Sequence, residues 1–74
     1  MSRLPVLSAT KVIKALKRLG FNIVRQSGSH IHLWHDERRV LVTVPNHPEL
    51  AKGTLNAIIK QSGIDRKTFL SQIR

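Results

Sequence analysis

The spacing of apolar residues changes period along the chain. Val12, Ile13, Leu16 and Leu19 recur at helical spacing and form one stripe, with Lys11, Lys14, Lys17 and Arg18 mostly off it. Ser8 stands at the start, where a side-chain oxygen can accept an otherwise unpaired backbone N–H. Gly20 follows in the position that ends helices. Pro5, ahead of the cap, predicts an extended approach. The period then drops to two. Phe21-Asn22-Ile23-Val24-Arg25 reads as a first strand and Ser27-Gly28-Ser29 as a turn, with Gly28 free to adopt positive φ. The second strand, His30 to His35, places Ile31 and Leu33 on one face and His30, His32 and Trp34 on the other. His35 points away from those three and ends the strand, as a structural or solvated residue.

Asp36-Glu37-Arg38-Arg39 makes the next turn, and Val40-Leu41-Val42-Thr43-Val44 is a β-branched third strand. Pro45 stops the sheet, and Asn46-His47-Pro48-Glu49 is a loop. Helical spacing returns with Leu55, Ile58 and Ile59, predicting a helix from Thr54 to Ser62 that Gly63 terminates. Asp65 caps a short last helix carrying Phe69, Leu70 and Ile73.

The fold class that follows is α+β, ordered α-β-β-β-α with a short extra C-terminal helix. Three antiparallel strands form a meander with the helices on one face, which buries both apolar stripes. The face bearing His30, His32 and Trp34 is left free. This topology is like that of a double-stranded-RNA-binding domain, although topology alone does not establish function. The 74 residues predict one domain, 1–74, without internal repeat or linker. A chain this short has a thin core, so a site on it is a shallow patch.

Thirteen Lys and Arg against four Asp and Glu give a formal charge of +9 and a pI near 11.6. Solubility alone asks for a charge of only about 2–8 in a small domain. The excess bears on partners, with nucleic acid first, then an anionic membrane surface or an acidic protein. The chain has no cysteine, which excludes disulfides and thiolate zinc sites. No apolar run is long enough to span a membrane, and Met1-Ser2-Arg3-Leu4-Pro5 lacks the apolar region of a secretory signal. The expectation is a soluble cytoplasmic protein.

Among the candidate groups, histidine both takes and gives protons near neutral pH. RNA can be cleaved when its own 2′-hydroxyl attacks the adjacent phosphorus. That reaction needs a group to remove the proton, one to protonate the leaving oxygen, and cations for the developing charge. His30, beside a flexible turn, can reach a phosphate, or it is simply a polar strand residue. His32 is a second proton-transfer group, a substrate contact or exposed polar surface. Trp34 either stacks a base or covers sheet surface or a partner. Arg25, Arg38 and Arg39 are candidate phosphate contacts. Lys52 and Lys60 extend the basic strip or are solvated helix surface. His47, in the rigid Pro45-Asn46-His47-Pro48 loop, orients that loop or meets substrate. His30-X-His32 with His47 has the elements of a chelate. However, no carboxylate clusters with them in sequence and no zinc signature is present, so no metal is assigned. The few acids support no Ser-His-Asp arrangement, and Gly28 and Gly53 make no phosphate-binding loop.

The chain resembles the HicA mRNA interferase toxins of bacterial type II toxin–antitoxin systems. The resemblance runs from Leu4-Pro5 through Leu16-Lys17-Arg18-Leu19-Gly20-Phe21 and is strongest at Val24-Arg25-Gln26-Ser27-Gly28-Ser29-His30. It continues in Val42-Thr43-Val44-Pro45-Asn46-His47, in Lys52-Gly53-Thr54-Leu55 and through Ile58 to Ile64. Ala9-Thr10-Lys11 departs from the common family pattern, which often holds a Gly and an acidic residue there. The resemblance implies a fold like a double-stranded-RNA-binding domain and cleavage of mRNA without a cofactor. It implies that the Gly-Ser-His histidine, here His30, is catalytic, and that a HicB-like antitoxin masks the active face. It gives no catalytic role to His32 or Asn46. The resulting reading is a ribonuclease toxin in which Gly28 and Ser29 position His30 and basic residues hold RNA phosphates. Its rivals are an RNA-binding module without chemistry and a partner-binding domain whose basic face meets an acidic protein.

Overall fold

A computed structural model describes residues 6–73, so the approach expected at Pro5 lies outside the described residues. Six elements follow in order: α1 (Ala9–Arg18), β1 (Asn22–Ser27), β2 (His30–His35), β3 (Val40–Pro45), α2 (Lys52–Ser62) and α3 (Arg66–Ser71). The strands form one antiparallel sheet in the order β1-β2-β3. This is the expected α-β-β-β-α arrangement with a short last helix.

The buried stripe of α1, Val12, Ala15 and Leu16, packs in one cluster with Leu55, Ile58 and Ile59 of α2, Phe69 of α3 and the inner sheet residues Ile31, Leu33, Val42 and Val44. Both helical stripes therefore serve a single sheet face. Ser8 caps α1 by accepting the Lys11 N–H at 3.2 Å, and Asp65 caps α3 by accepting the Thr68 N–H at 3.1 Å. Ser62, buried at the end of α2, donates to the Ile59 carbonyl and accepts the Ile64 N–H at 3.1 Å. This settles a polar side chain inside the core.

The element boundaries differ from the sequence expectation in five places. Pro45, expected to stop the sheet, is the last residue of β3, opposite His30. Ile73, expected on the last helix, lies past the end of α3 at Ser71. Phe21 is not in β1. Its N–H bonds the Leu16 carbonyl at 2.9 Å while the Gly20 N–H bonds that of Lys17 at 3.1 Å. This pair of bonds closes α1 as a Schellman motif, so the Phe21 amide cannot join a ladder. β1 instead extends to Ser27, which pairs with His30 and shortens the turn to Gly28 and Ser29. The helix expected from Thr54 starts at Lys52, because the Leu55 N–H already reaches the Ala51 carbonyl at 2.9 Å.

The β1–β2 register shifts between Ile23 and Arg25. Ile23 faces Leu33 and Arg25 faces His32, which leaves Val24 as the extra residue of a bulge. Strict alternation from Ile23 would send Arg25 to the helix side. The bulge carries it to the open face instead.

Candidate functional site

The site is the sheet face that the helices leave uncovered. Across it, cross-strand partners share a side, so the pairing register lays the side chains out in rows. One row is Ser27, His30 and Pro45, the next is Arg25, His32 and Thr43, and a third holds Trp34 beside Leu41. His30 is exposed at the first position of β2, whereas Ile31 and Leu33 between these rows are buried. The alternation expected from the sequence thus holds through His30, His32 and Trp34.

Gly28 has φ +58°, as the first residue of a two-residue hairpin loop favours. The backbone that delivers His30 is tied down from a third segment, because the Asn46 N–H bonds the Ser29 carbonyl. The β3–α2 loop is fastened in turn. The His47 carbonyl accepts the Ala9 N–H at 3.0 Å, and the Leu50 N–H bonds the Leu7 carbonyl at 2.8 Å. The backbone of His47 orients its loop while its side chain stays exposed.

His32 is half-buried, and its Nδ1 lies 2.9 Å from the Thr43 hydroxyl. This bond fixes the ring and leaves Nε2 as its other polar atom. Thr43 went unnoticed as a site residue in the sequence. The one available signal was its place as a polar residue on the outward side of an alternating strand. The rest depended on which residue of β2 lay opposite it.

Trp34 and Arg39 come together. The indole N–H donates to Asp36 Oδ1 at 2.9 Å, and the Arg39 guanidinium lies 5.7 Å from the ring centroid. Arg39 adopts φ +58°, a left-handed conformation uncommon for a side chain of its size. The indole edge and one face are therefore engaged within the chain.

Arg38 does not join that group. Its guanidinium donates to the Gly63 carbonyl at 3.3 Å, at the end of α2, and its backbone N–H donates to His35 Nδ1 at 3.1 Å. Lys52 is exposed in the first turn of α2.

His35 is structural. It is buried with Nδ1 accepting from Arg38 and Nε2 bonded to the Leu19 carbonyl at 3.1 Å, so the proton resides on Nε2. Its ring meets Phe21 edge-on, with centroids 5.0 Å apart and planes at 76°.

Among the described residues, no three His, Asp or Glu side chains gather closely enough to hold a metal ion. None of the helices among those residues is long and apolar enough to cross a membrane. Residues 9–64 match the family model described as the HicA toxin of bacterial toxin-antitoxin systems, over well more than half of the chain. No curated protein matches the chain.

Proposed function

Because the chain belongs to the HicA family of toxins from bacterial toxin–antitoxin systems, we propose that it is an mRNA-cleaving endoribonuclease acting through His30, without cofactor, in the cytoplasm. The whole chain, 1–74, is the toxin domain. A HicB-like antitoxin neutralises it by covering the open sheet face.

The observation that carries this reading is the placement of His30. It stands exposed at the edge of the open face, on a turn that Gly28 permits and the Asn46 bond holds. An imidazole so placed reaches a backbone phosphate without burying the phosphate's charge. The attacking nucleophile is already part of the RNA, so the protein need supply only proton transfer and positive charge. Proton transfer contributes typically about 10²–10⁴-fold, and positioned cations contribute a further electrostatic factor. Arg25 and Arg39 supply charge on this face, with His47, Lys52 and the wider +9 surface drawing RNA in from further out. Arg38, committed to the α2 end, acts at the rim. Gly28 and Ser29 are positioning residues.

The test is cleavage of a long single-stranded RNA by purified protein in EDTA, alongside His30→Ala. Cutting by the wild type and none by the folded variant is the expected result. Binding of RNA by both with cleavage by neither would overturn the catalytic reading in favour of a binding module.

A further inference from the structure

We infer that His32 is the second proton-transfer group of the reaction, with Thr43 holding its ring. This inference rests on the nuclease reading above, which leaves one half of the proton transfer unassigned.

Internal transesterification moves two protons at two places. As the O2′–P bond forms, the 2′-hydroxyl gives up its proton. As the P–O5′ bond breaks, the leaving oxygen takes one. The products are a 2′,3′-cyclic phosphate and a 5′-hydroxyl, with no water or other reactant consumed. Attack and departure are in line, so the two oxygens lie on opposite sides of phosphorus. Two separate groups serve such a step better than one.

The sheet provides two such groups. His30 and His32 are two apart on one strand face, which sets their Cα atoms about 6.6 Å apart. That spacing lets two imidazoles flank a single phosphate, each at a hydrogen-bond distance of about 3 Å. His30 is exposed and adaptable, whereas His32 is half-buried and fixed through Nδ1 to Thr43. A hydroxyl both donates and accepts, so Thr43 can follow the ring through a change of protonation. The Val24 bulge puts Arg25 directly opposite His32, where a cation can meet the charge that builds on the phosphate oxygens. Along the strand, Trp34 bounds the site on the other side, with Asp36 and Arg39 engaged on its ring.

One ring takes the 2′ proton and the other gives one to O5′. Each is then the conjugate partner of the other, and a turnover ends with both reset by exchange with solvent. Such a pair gives a bell-shaped pH–rate profile.

The experiment compares wild type, His30→Ala, His32→Gln and Thr43→Val on one RNA oligonucleotide across pH. A parallel substrate carries sulfur in place of the 5′ bridging oxygen, and that sulfur leaves without needing a proton. Gln keeps a hydrogen-bonding group beside Thr43 but cannot titrate. His32→Gln is expected to lose about 10²–10⁴-fold in kcat, with one limb of the bell gone and RNA binding nearly unchanged. One of the two histidine variants, whichever lacks the acid, recovers most of its rate on the sulfur substrate, and the other does not. Thr43→Val is expected to lower kcat several-fold at unchanged KM, with Thr43→Ser restoring it. A His32→Gln protein that retains the wild-type rate and both limbs overturns the inference while leaving the nuclease reading in place. Rescue of neither variant by sulfur also overturns it. A wild type that cuts neither substrate overturns both readings.

Discussion

Gly20→Ala should damage this fold far more than its exposed position implies. The backbone there has φ +100°, beyond the left-handed region that even Asn and Asp visit. Forcing an alanine into a left-handed conformation costs about 1–2 kcal/mol. An added Cβ would also lie 2.6 Å from His35 Nε2. That ring cannot yield cheaply, because both nitrogens are bonded, to the Leu19 carbonyl and the Arg38 N–H, and Phe21 braces its edge. Displacing it forfeits two hydrogen bonds at about 1 kcal/mol each. The sum is roughly 3–4 kcal/mol. In a domain of this size that lowers Tm by roughly 20 °C. Gly28→Ala is the control, since it also has positive φ, +58°, but nothing within 4 Å of an added Cβ. Its cost is the conformational one alone, about 1–2 kcal/mol. Urea and thermal unfolding of both variants, with His35→Ala and the Gly20→Ala/His35→Ala pair, make the comparison. His35→Ala opens the space, so the double variant should be about 2 kcal/mol more stable than additivity predicts. Equal losses for Gly20→Ala and Gly28→Ala, or strict additivity in the cycle, would refute the packing argument.

Other consequences are simpler to check. His30→Ala should leave stability within about 0.5 kcal/mol of wild type, because the side chain is exposed; chemical denaturation measures this, and a large loss would show that His30 holds the hairpin. Ser8→Ala should cost about 1 kcal/mol through loss of the α1 cap, read as a lowered urea midpoint. Asp65 is held below the usual aspartate range by hydrogen bonds from the Thr68 side chain and backbone. Its contribution is therefore present above its unfolded pKa and fades as pH falls through the lower folded value; amide exchange in α3 should accelerate over that acid range in wild type but not in Asp65→Asn. Arg25→Ala and Arg39→Ala should each weaken RNA binding and reduce the salt slope by about 1, measured by anisotropy titrations at several salt concentrations. An unchanged slope would remove that arginine from the phosphate contacts.

Much of this molecule was legible in its sequence, because the deciding signals are local. The helical stripe from Val12 to Leu16 and the alternation through His30–His35 lie within a few residues of one another. So do the caps at Ser8 and Asp65 and the glycine that ends α1. Period and side-chain type fix which face each residue takes once the element forms. His30 was visible in this way, at a strand start beside a glycine turn, on the polar side of an alternating run. The open face follows from the same pattern, since the apolar residues of β2's alternation, Ile31 and Leu33, take the side opposite His30, His32 and Trp34.

What the tertiary structure decided depends on register and on contacts between distant segments. The adjacent Ile23 and Val24 broke the alternation, but only the pairing with β2 shows that Val24 is the bulge and that Arg25 crosses to face His32. Arg38 and Arg39 are neighbours in sequence, yet one reaches the end of α2 and the other lies over Trp34. His35 was undecided between structural and solvated roles, and the Leu19 carbonyl, sixteen residues away, settled it. Thr43 gained meaning only when β3 lay beside β2 with His32 opposite. The physical reason is common to all four. Local conformation is set by each residue's own sterics and by neighbours within a turn. A cross-strand partner is instead set by the burial of the whole sheet face, and a shift of one residue in register turns every side chain of a strand to the other side.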